Sequence, residues 1–145
     1  SACLVGSEMC IRDSYGVEPR DRGQMVRLVV ESLACAHADF AERLERVVGP
    51  SLDSTAPIMA MGGGIQNSML MAATASACRR PVVKSAVEAS CLGNLLCQFE
   101  ATGAIEPGGR ADVVAASVQP ESIEPGDPAP FDAMRQRLNE VRSAR

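Results

Sequence analysis

Apolar residues in the first part of the chain recur with the spacing of an amphipathic helix. From Met25 onwards they return every three or four positions, and most charged residues fall off this stripe. Gly49 and Pro50 end the pattern, because glycine readily adopts the left-handed cap and proline cannot continue a helix. The sequence therefore predicts a long helix that ends at Val48. The stripe consists of Met25, Val26, Val29, Val30, Leu33, Ala36, Phe40, Leu44, Val47 and Val48.

Short apolar runs and helical patterns alternate after this helix. Ile58 to Met61 and Pro81 to Lys84 are apolar runs that predict two buried strands. Each run precedes a helical pattern, Gln66 to Cys78 and Ser90 to Thr102, and Ser90 is a suitable N-cap. This order is typical of α/β folds, and two strands alone do not form a stable sheet. The sequence therefore predicts an α/β fold that needs more strands.

The last third of the chain has a different character. A short helix is predicted from Arg110 to about Ser117, after a break at Pro107 to Gly109. Four prolines between Gln119 and Pro130 predict an extended linker. The charged segment from Phe131 to Arg145 predicts a C-terminal helix that is docked loosely or frayed.

Composition and charge exclude several classes of protein. The chain is 46% hydrophobic and 22% charged, as in soluble globular proteins. Its net charge is -4 and its basic residues are dispersed, which argues against a nucleic-acid-binding surface. The uncharged stretch from Ser54 to Cys78 contains Pro57 and three glycines, whose backbone polar groups lipid could not satisfy. No signal-peptide pattern opens the chain, so we expect a cytoplasmic location without a membrane partner.

The cysteines and the single histidine do not form a metal-binding pattern. Cys35, Cys78, Cys91 and Cys97 lie in apolar helical stretches, and we expect them to be small buried hydrophobes. There is no C-x-x-C pair, and His37 lies in the middle of the long helix. Neither zinc nor a disulfide framework is therefore predicted, and we expect His37 at the helix surface or the edge of the core.

The first 14 residues read as foreign to the rest of the chain. Cys3 to Ser14 resembles the translation of a transposase-type sequencing adapter, which contaminates assembled DNA. We therefore expect Ser1 to Ser14 to be a non-native leader and the natural chain to be truncated near Tyr15. A native irregular tail is the alternative.

A glycine run between the first strand and the next helix is the most informative segment. Gly62, Gly63 and Gly64 allow the backbone to turn sharply and to approach a ligand without an intervening Cβ. The helix N-terminus beyond favours an anion, and Gln66 and Asn67 add side-chain amides. Ligands bind at the carboxyl ends of strands in α/β sheets. The segment therefore predicts a phosphate- or nucleotide-binding loop, with a tight turn that binds nothing as the alternative.

The known glycine motifs do not match this run. A P-loop would continue with Gly-Lys-Ser/Thr, and Asn67 stands where the dinucleotide fingerprint has its third glycine. A second segment, Val87 to Asn94, opens the third helix. Its Glu88 is predicted to cap or to orient the loop, and Gly93 is expected to pack closely against another backbone, because glycine lowers helix propensity.

Four segments together resemble the C-terminal domain of the FGGY carbohydrate kinases, over Tyr15 to about Pro125. Their combination is most similar to the rhamnulokinase branch of that family. The segments are Glu31-Ser32-Leu33-Ala34, Gly62 to Asn67, Arg80-Pro81-Val82 and Val87 to Asn94.

The resemblance implies an actin-like ATPase fold, in which two ribonuclease-H-like domains close on ATP and a ketose. It implies transfer of the ATP γ-phosphate to the 1-hydroxyl of L-rhamnulose, with an Asp general base and Mg²⁺. Gly63 and Gly64 would lie near the phosphates and ribose, and Gln66 and Asn67 would border the adenine. Gly62 belongs to the same expected cofactor-binding set. The Asp is expected before Tyr15, so the chain holds no predicted catalytic residue.

This resemblance also implies a division of the chain. Residues 15–118 would be an incomplete nucleotide-binding domain with short strands alternating with helices, and residues 119–145 a linker and C-terminal helix. The alternatives are a kinase of the same family for fuculose or xylulose, a non-catalytic nucleotide-binding module, and a piece of a Rossmann oxidoreductase.

Overall fold

The computed structural model describes residues 20–49, 53 and 55–143, so the expected leader at residues 1–14 lies outside the described part. Within that part the chain forms five α-helices and one three-stranded sheet. The elements are α1 (Arg22–Val48), β1 (Ile58–Ala60), α2 (Ser68–Cys78), β2 (Val82–Lys84), α3 (Ala89–Ala101), α4 (Arg110–Ser117), β3 (Glu121–Ile123) and α5 (Ala129–Ser143).

The sheet confirms the predicted α/β order and adds a strand. β1 pairs with β2 in parallel, and β2 pairs with β3 antiparallel, so that Val82 lies opposite both Ile58 and Ile123. β3 lies inside the segment predicted as an extended linker. Its sequence, Glu-Ser-Ile between prolines, carries little apolar signal, because an edge strand needs few buried residues and tolerates nearby prolines.

The two strands and the helices begin and end within a residue or two of the predicted positions. β1 stops at Ala60 rather than Met61, and β2 begins at Val82 because Pro81 has no N–H to donate. α1 begins at Arg22, since the Asp21 carboxylate accepts a 2.7 Å hydrogen bond from the Gln24 N–H and caps the helix.

Two apolar clusters hold these elements together. In the first, α1 packs against α2 through small side chains, and Phe131 of α5 covers the contact. In the second, α2 packs on the sheet around Val82, whose side chain is fully buried. The first cluster contains Val30, Ala34, Ala38, Ala73 and Ala77, and the second contains Ile65, Met71, Ala75 and Val82.

The face of α1 that packs on α2 is not the predicted apolar stripe. Val30 is buried, whereas Val26, Leu33, Phe40 and Leu44 are all exposed. Alanines on the neighbouring face of α1 allow α1 and α2 to approach closely. Because alanine is only weakly apolar, these residues contributed little to the hydrophobic pattern of the sequence. α1 therefore carries one packed face of small residues and one exposed face of large ones.

α5 is held by charge as well as by apolar contact. Arg135 lies with its Nε 2.9 Å from Asp39 Oδ1 and its Nη2 2.7 Å from Glu42 Oε1, both on α1. A further pair joins Arg79 to Asp132 at 2.6 Å. The prediction of a loosely docked helix is therefore wrong for the described part of α5.

The four cysteines of the described part differ in exposure and are all free thiols. Cys35 is buried and Cys78 is half-buried, as predicted, but Cys91 and Cys97 are exposed on α3. The prediction of buried cysteines fails there because only Leu96 of α3 is buried in the described structure. None of the described helices combines the length and the apolar character that crossing a membrane requires.

We predict that Arg135→Met lowers the free energy of unfolding by about 2 kcal/mol, because two partly buried charged hydrogen bonds are lost while the aliphatic stem is kept. Chemical denaturation followed by circular dichroism measures this change. The matched control is Arg27→Met, which removes an exposed ion pair between Arg27 and Glu31, both on α1. It should lower the free energy of unfolding by less than about 0.5 kcal/mol. Equal effects of the two substitutions would contradict a stabilising role for the ion pairs of Arg135 with Asp39 and Glu42.

A second prediction concerns the half-buried thiol of Cys78. Burial raises the pKa of Cys78 to about 11, so this thiol stays protonated at pH 8 and should react with iodoacetamide at least about tenfold more slowly than Cys97. The raised pKa also means that stability from the neutral thiol is present below its unfolded pKa and is lost as pH rises towards 11. Peptide mapping by mass spectrometry measures both rates, and equal rates would contradict the burial of Cys78.

Candidate functional site

A backbone corner follows β1 at the carboxyl end of the strand. Gly62 has φ +90°, a conformation that is essentially restricted to glycine. Its N–H donates a 3.0 Å hydrogen bond to the carbonyl of Ala86, which follows β2. The corner is therefore fastened to the next parallel strand at the edge where α/β sheets bind ligands.

The next residues, Gly63–Gln66, form a single turn of 3₁₀ helix rather than the start of α2. The Ile65 side chain is buried in the cluster around Val82, which anchors the turn from below. α2 begins at Ser68, two residues after the predicted start at Gln66, because Asn67 separates the 3₁₀ turn from α2. Its extended backbone and its Oδ1, which accepts a 3.0 Å bond from the Leu70 N–H, cap α2 at Ser68.

Gly63 and Gly64 lie at the exposed top of this turn. Neither has a positive φ, and a Cβ at either position would meet no atom within 4 Å. The folded backbone therefore does not require glycine at these two positions, in contrast to Gly62. The missing side chains leave open space above the turn, and a ligand can reach the backbone there.

The polar groups around the turn are amides and helix ends. The Gln66 side chain is exposed, whereas Asn67 uses its carbonyl oxygen in the cap and keeps its NH₂ group to donate. α2 and α3 begin just beyond the ends of the parallel strands β1 and β2, so both positive helix ends lie at this edge of the sheet. The arrangement favours an anionic group.

The second predicted segment behaves differently from its prediction. Ser90 does not cap α3, because the helix already begins at Ala89. Glu88 occupies the N-cap position, but its exposed side chain makes no capping hydrogen bond. A Cβ at Gly93 would meet no atom within 4 Å, so the expected close backbone packing is wrong for this structure.

No group of three His, Cys, Asp or Glu side chains in residues 20–49, 53 and 55–143 is placed to hold a metal ion. His37 lies exposed on α1, with its Nδ1 3.1 Å from the Thr74 hydroxyl oxygen on α2. This position at the edge of the α1–α2 contact agrees with the prediction for His37.

Arg80 is a supporting residue whose role was not predicted from the sequence. It precedes β2, and its side chain is only 12% exposed. Its Nε donates a 2.7 Å bond to the Ala56 carbonyl, and Nη1 lies 3.4 Å from Glu45 Oε1. Arg80 thereby ties the segment before β1 to the end of α1 and holds the strand that carries the corner. The sequence feature that could have indicated this role is a charged residue next to a buried strand.

The fold and the corner together define an α/β domain with an open glycine turn between a strand and a helix. The sequence profile of the FGGY family of carbohydrate kinases, C-terminal domain, matches residues 13–102, which include α1, the corner and α3. The chain therefore belongs to this family of carbohydrate kinases. The C-terminal domain of the family has a ribonuclease-H-like fold, with which the mixed α/β architecture agrees, as predicted.

Particular relatives are rhamnulokinases. The chain is 34% identical to that of Bacteroides thetaiotaomicron over 116 residues, which is 79% of this chain and 23% of the relative. It is 34% identical to that of Pectobacterium atrosepticum over 90 residues, 60% of this chain and 17% of the relative. For Mannheimia succiniciproducens the identity is 33% over 101 residues, 70% and 20% of the two chains. The matches thus span about a fifth of these relatives' length.

The corner generates a prediction about stability. Gly62→Ala should lower the free energy of unfolding by about 1–3 kcal/mol, because alanine is strained at φ +90°. Gly63→Ala serves as the matched control one residue away. It should leave stability unchanged or raise it by up to about 1 kcal/mol, because its backbone is compatible and its Cβ is unobstructed. Thermal denaturation measures both, and a Gly62→Ala variant as stable as the parent would contradict the corner geometry.

Proposed function

We propose that this chain supplies the ATP-binding part of a kinase that transfers the γ-phosphate of ATP to the 1-hydroxyl of L-rhamnulose. The observation that carries the proposal is the open turn at Gly63 and Gly64, where the fold itself does not require glycine. A ligand that approaches the backbone closely would require it. Family membership supports ATP as that ligand, and the rhamnulokinase relatives support the sugar.

In this proposal the backbone of Gly63 and Gly64 lies against the phosphates and ribose of ATP. The first N–H groups of a helix have no acceptor within the helix, so they can donate hydrogen bonds to the bound nucleotide. The positive end of the helix also attracts the phosphates. The exposed Gln66 side chain and the NH₂ group of Asn67 border the adenine. These residues bind and orient the nucleotide, which is the main contribution that proteins make to phosphoryl transfer.

The remaining parts of the reaction lie elsewhere in this proposal. Mg²⁺ would neutralise charge on the ATP phosphates, but the described acidic residues offer no cluster that fits it. The Asp general base and the sugar pocket belong to parts of the longer kinase outside this chain. Fuculose and xylulose remain alternative sugars.

We predict that millimolar ATP shifts the backbone amide resonances of Gly63, Gly64 and Gln66 in a ¹⁵N heteronuclear correlation spectrum of this chain. Gly63→Leu should weaken the interaction at least about tenfold, because a side chain fills the space that the ligand needs. The matched control is Ala116→Leu, which introduces the same side chain at an exposed position of α4 and should not alter the titration.

Two outcomes would contradict ATP binding at the corner. One is an unchanged ATP titration after Gly63→Leu. The other is a set of shifts that appears equally with NAD, which would show that the corner does not select ATP.

A further expected outcome concerns activity. A coupled assay with ATP and L-rhamnulose should detect no turnover by this chain alone, because the proposed base and sugar pocket are not part of it. Parallel reactions with fuculose and xylulose control for the choice of sugar. Measurable phosphorylation of any of these sugars would contradict the proposal that the base and the sugar pocket are not part of this chain.

A further inference from the structure

Lys84 is the only lysine of the 145-residue sequence, and it ends β2 next to the glycine corner. Its register partner on β1 is Ala60, whose carbonyl accepts a 2.9 Å hydrogen bond from the N–H of Ser85. Gly62, at the corner, follows Ala60 by only two residues. Lys84 therefore lies one strand away from the corner, at the same edge of the sheet.

The side chain of Lys84 lies on the face of the sheet that α2 covers. Side chains two residues apart on a strand share a face, and Val82 packs on this face against Met71 and Ala75 of α2. α2 begins just beyond the carboxyl end of β1, so its positive N-terminus lies at the edge that carries Lys84. The charge of the lysine and the partial charge of the helix end thus occur at the same end of the sheet.

An ion pair with Glu121 holds the ammonium group of Lys84 in the described structure. Lys84 Nζ lies 2.6 Å from Glu121 Oε2 on β3, directly opposite in the antiparallel register. The Lys84 side chain is only 20% exposed, whereas that of Glu121 is 64% exposed. An ion pair with an exposed partner contributes little net stability, because water competes for its charges. An anion that arrives at the corner can therefore compete with Glu121 for the ammonium group.

We propose that Lys84 is a phosphate-binding residue of the corner, whose ammonium group exchanges Glu121 for a phosphate of the bound nucleotide. Adjacent strands lie about 4.8 Å apart, a distance that the flexible four-carbon stem of lysine spans. Rotation of the stem away from β3 carries the charge towards β1 and the corner. This role rests on the proposed ATP binding, and it adds Glu121 as a competitor that weakens the phosphate contact.

A purely structural ion pair would behave differently from a phosphate-binding lysine. If the pair only held β3 against β2, the loss of either partner would change ATP binding in the same direction. In the proposed exchange the two partners act in opposite directions, because Lys84 attracts the phosphate and Glu121 competes with it. The signs of the two effects on ATP affinity therefore separate these roles.

The test compares ATP with adenosine, which has no phosphate, in titrations followed by the amide resonances of Gly63 and Gly64. Lys84→Met should weaken ATP binding at least about fivefold, because a charged hydrogen bond to phosphate is lost. Glu121→Gln should strengthen ATP binding about twofold, because the competing charge is removed. Lys84→Arg should retain most of the ATP affinity, and none of these substitutions should change the affinity for adenosine. The matched control is Arg27→Met, which removes an ion-paired cation from α1 and should leave the affinity for ATP unchanged.

Chemical modification of the unsubstituted chain gives a second readout that needs no variant. Because Lys84 is the only lysine, its acetylation by acetic anhydride can be followed by peptide mass spectrometry, with the α-amino group of the chain as the internal control. ATP at five times its dissociation constant should slow the acetylation of Lys84 at least about threefold relative to the α-amino group. Adenosine at the same occupancy should not slow it.

Circular dichroism checks that the variants fold, and the acetylation measurement decides if Lys84→Met does not fold. The role of Lys84 is overturned if Lys84→Met and Glu121→Gln do not change ATP affinity in opposite directions, or if ATP leaves the acetylation of Lys84 unchanged. In either case shifts of the Gly63 and Gly64 amides by ATP would still support the proposed function. Absence of those shifts in the unsubstituted chain overturns the proposed function and the role of Lys84 together.

Discussion

The parallel pairing of β1 with β2 is the interaction on which the rest of the structure depends. It brings the ends of both strands to one edge, where Ala60 and Gly62 continue the pairing with hydrogen bonds to Ser85 and Ala86. The side chain of Val82, fully buried beneath it, joins the sheet to α2 and to the turn above. Without this pairing the glycine corner would have neither its position nor its orientation.

Those parts of the fold whose signal lies in a few adjacent residues could be predicted from the sequence. The long helix, the two short strands and the glycine turn each have a strong local pattern, and the structure contains all of them. The order of elements then limits the fold to the α/β class. The glycine corner was predictable for the same reason, because a run of three glycines after an apolar strand has few structural uses.

Features that depend on contacts distant in sequence could not be predicted. The strand Glu121–Ile123 exists because β2 offers it an edge, and its own residues do not specify a strand. The docking of α5 depends on Arg135 meeting Asp39, which is 96 residues away in the chain. On α1, hydrophobic spacing identified the row of large residues, but it could not show that alanines form the packed face. At Gly93 a propensity argument suggested a contact that the described structure does not contain.

Asn67 caps α2 in the structure, and we propose that it also borders the nucleotide; a change of charge at this position separates the two roles. Aspartate caps helices as well as asparagine does, because both offer a side-chain oxygen to the third residue of the helix. The Leu70 N–H, which donates to Asn67 Oδ1, would therefore donate to an aspartate at this position as well. A carboxylate would, however, place a negative charge beside the open turn at Gly64, where it would repel an anionic ligand. An isosteric exchange at this single position thus keeps the helix cap and adds one negative charge beside the turn.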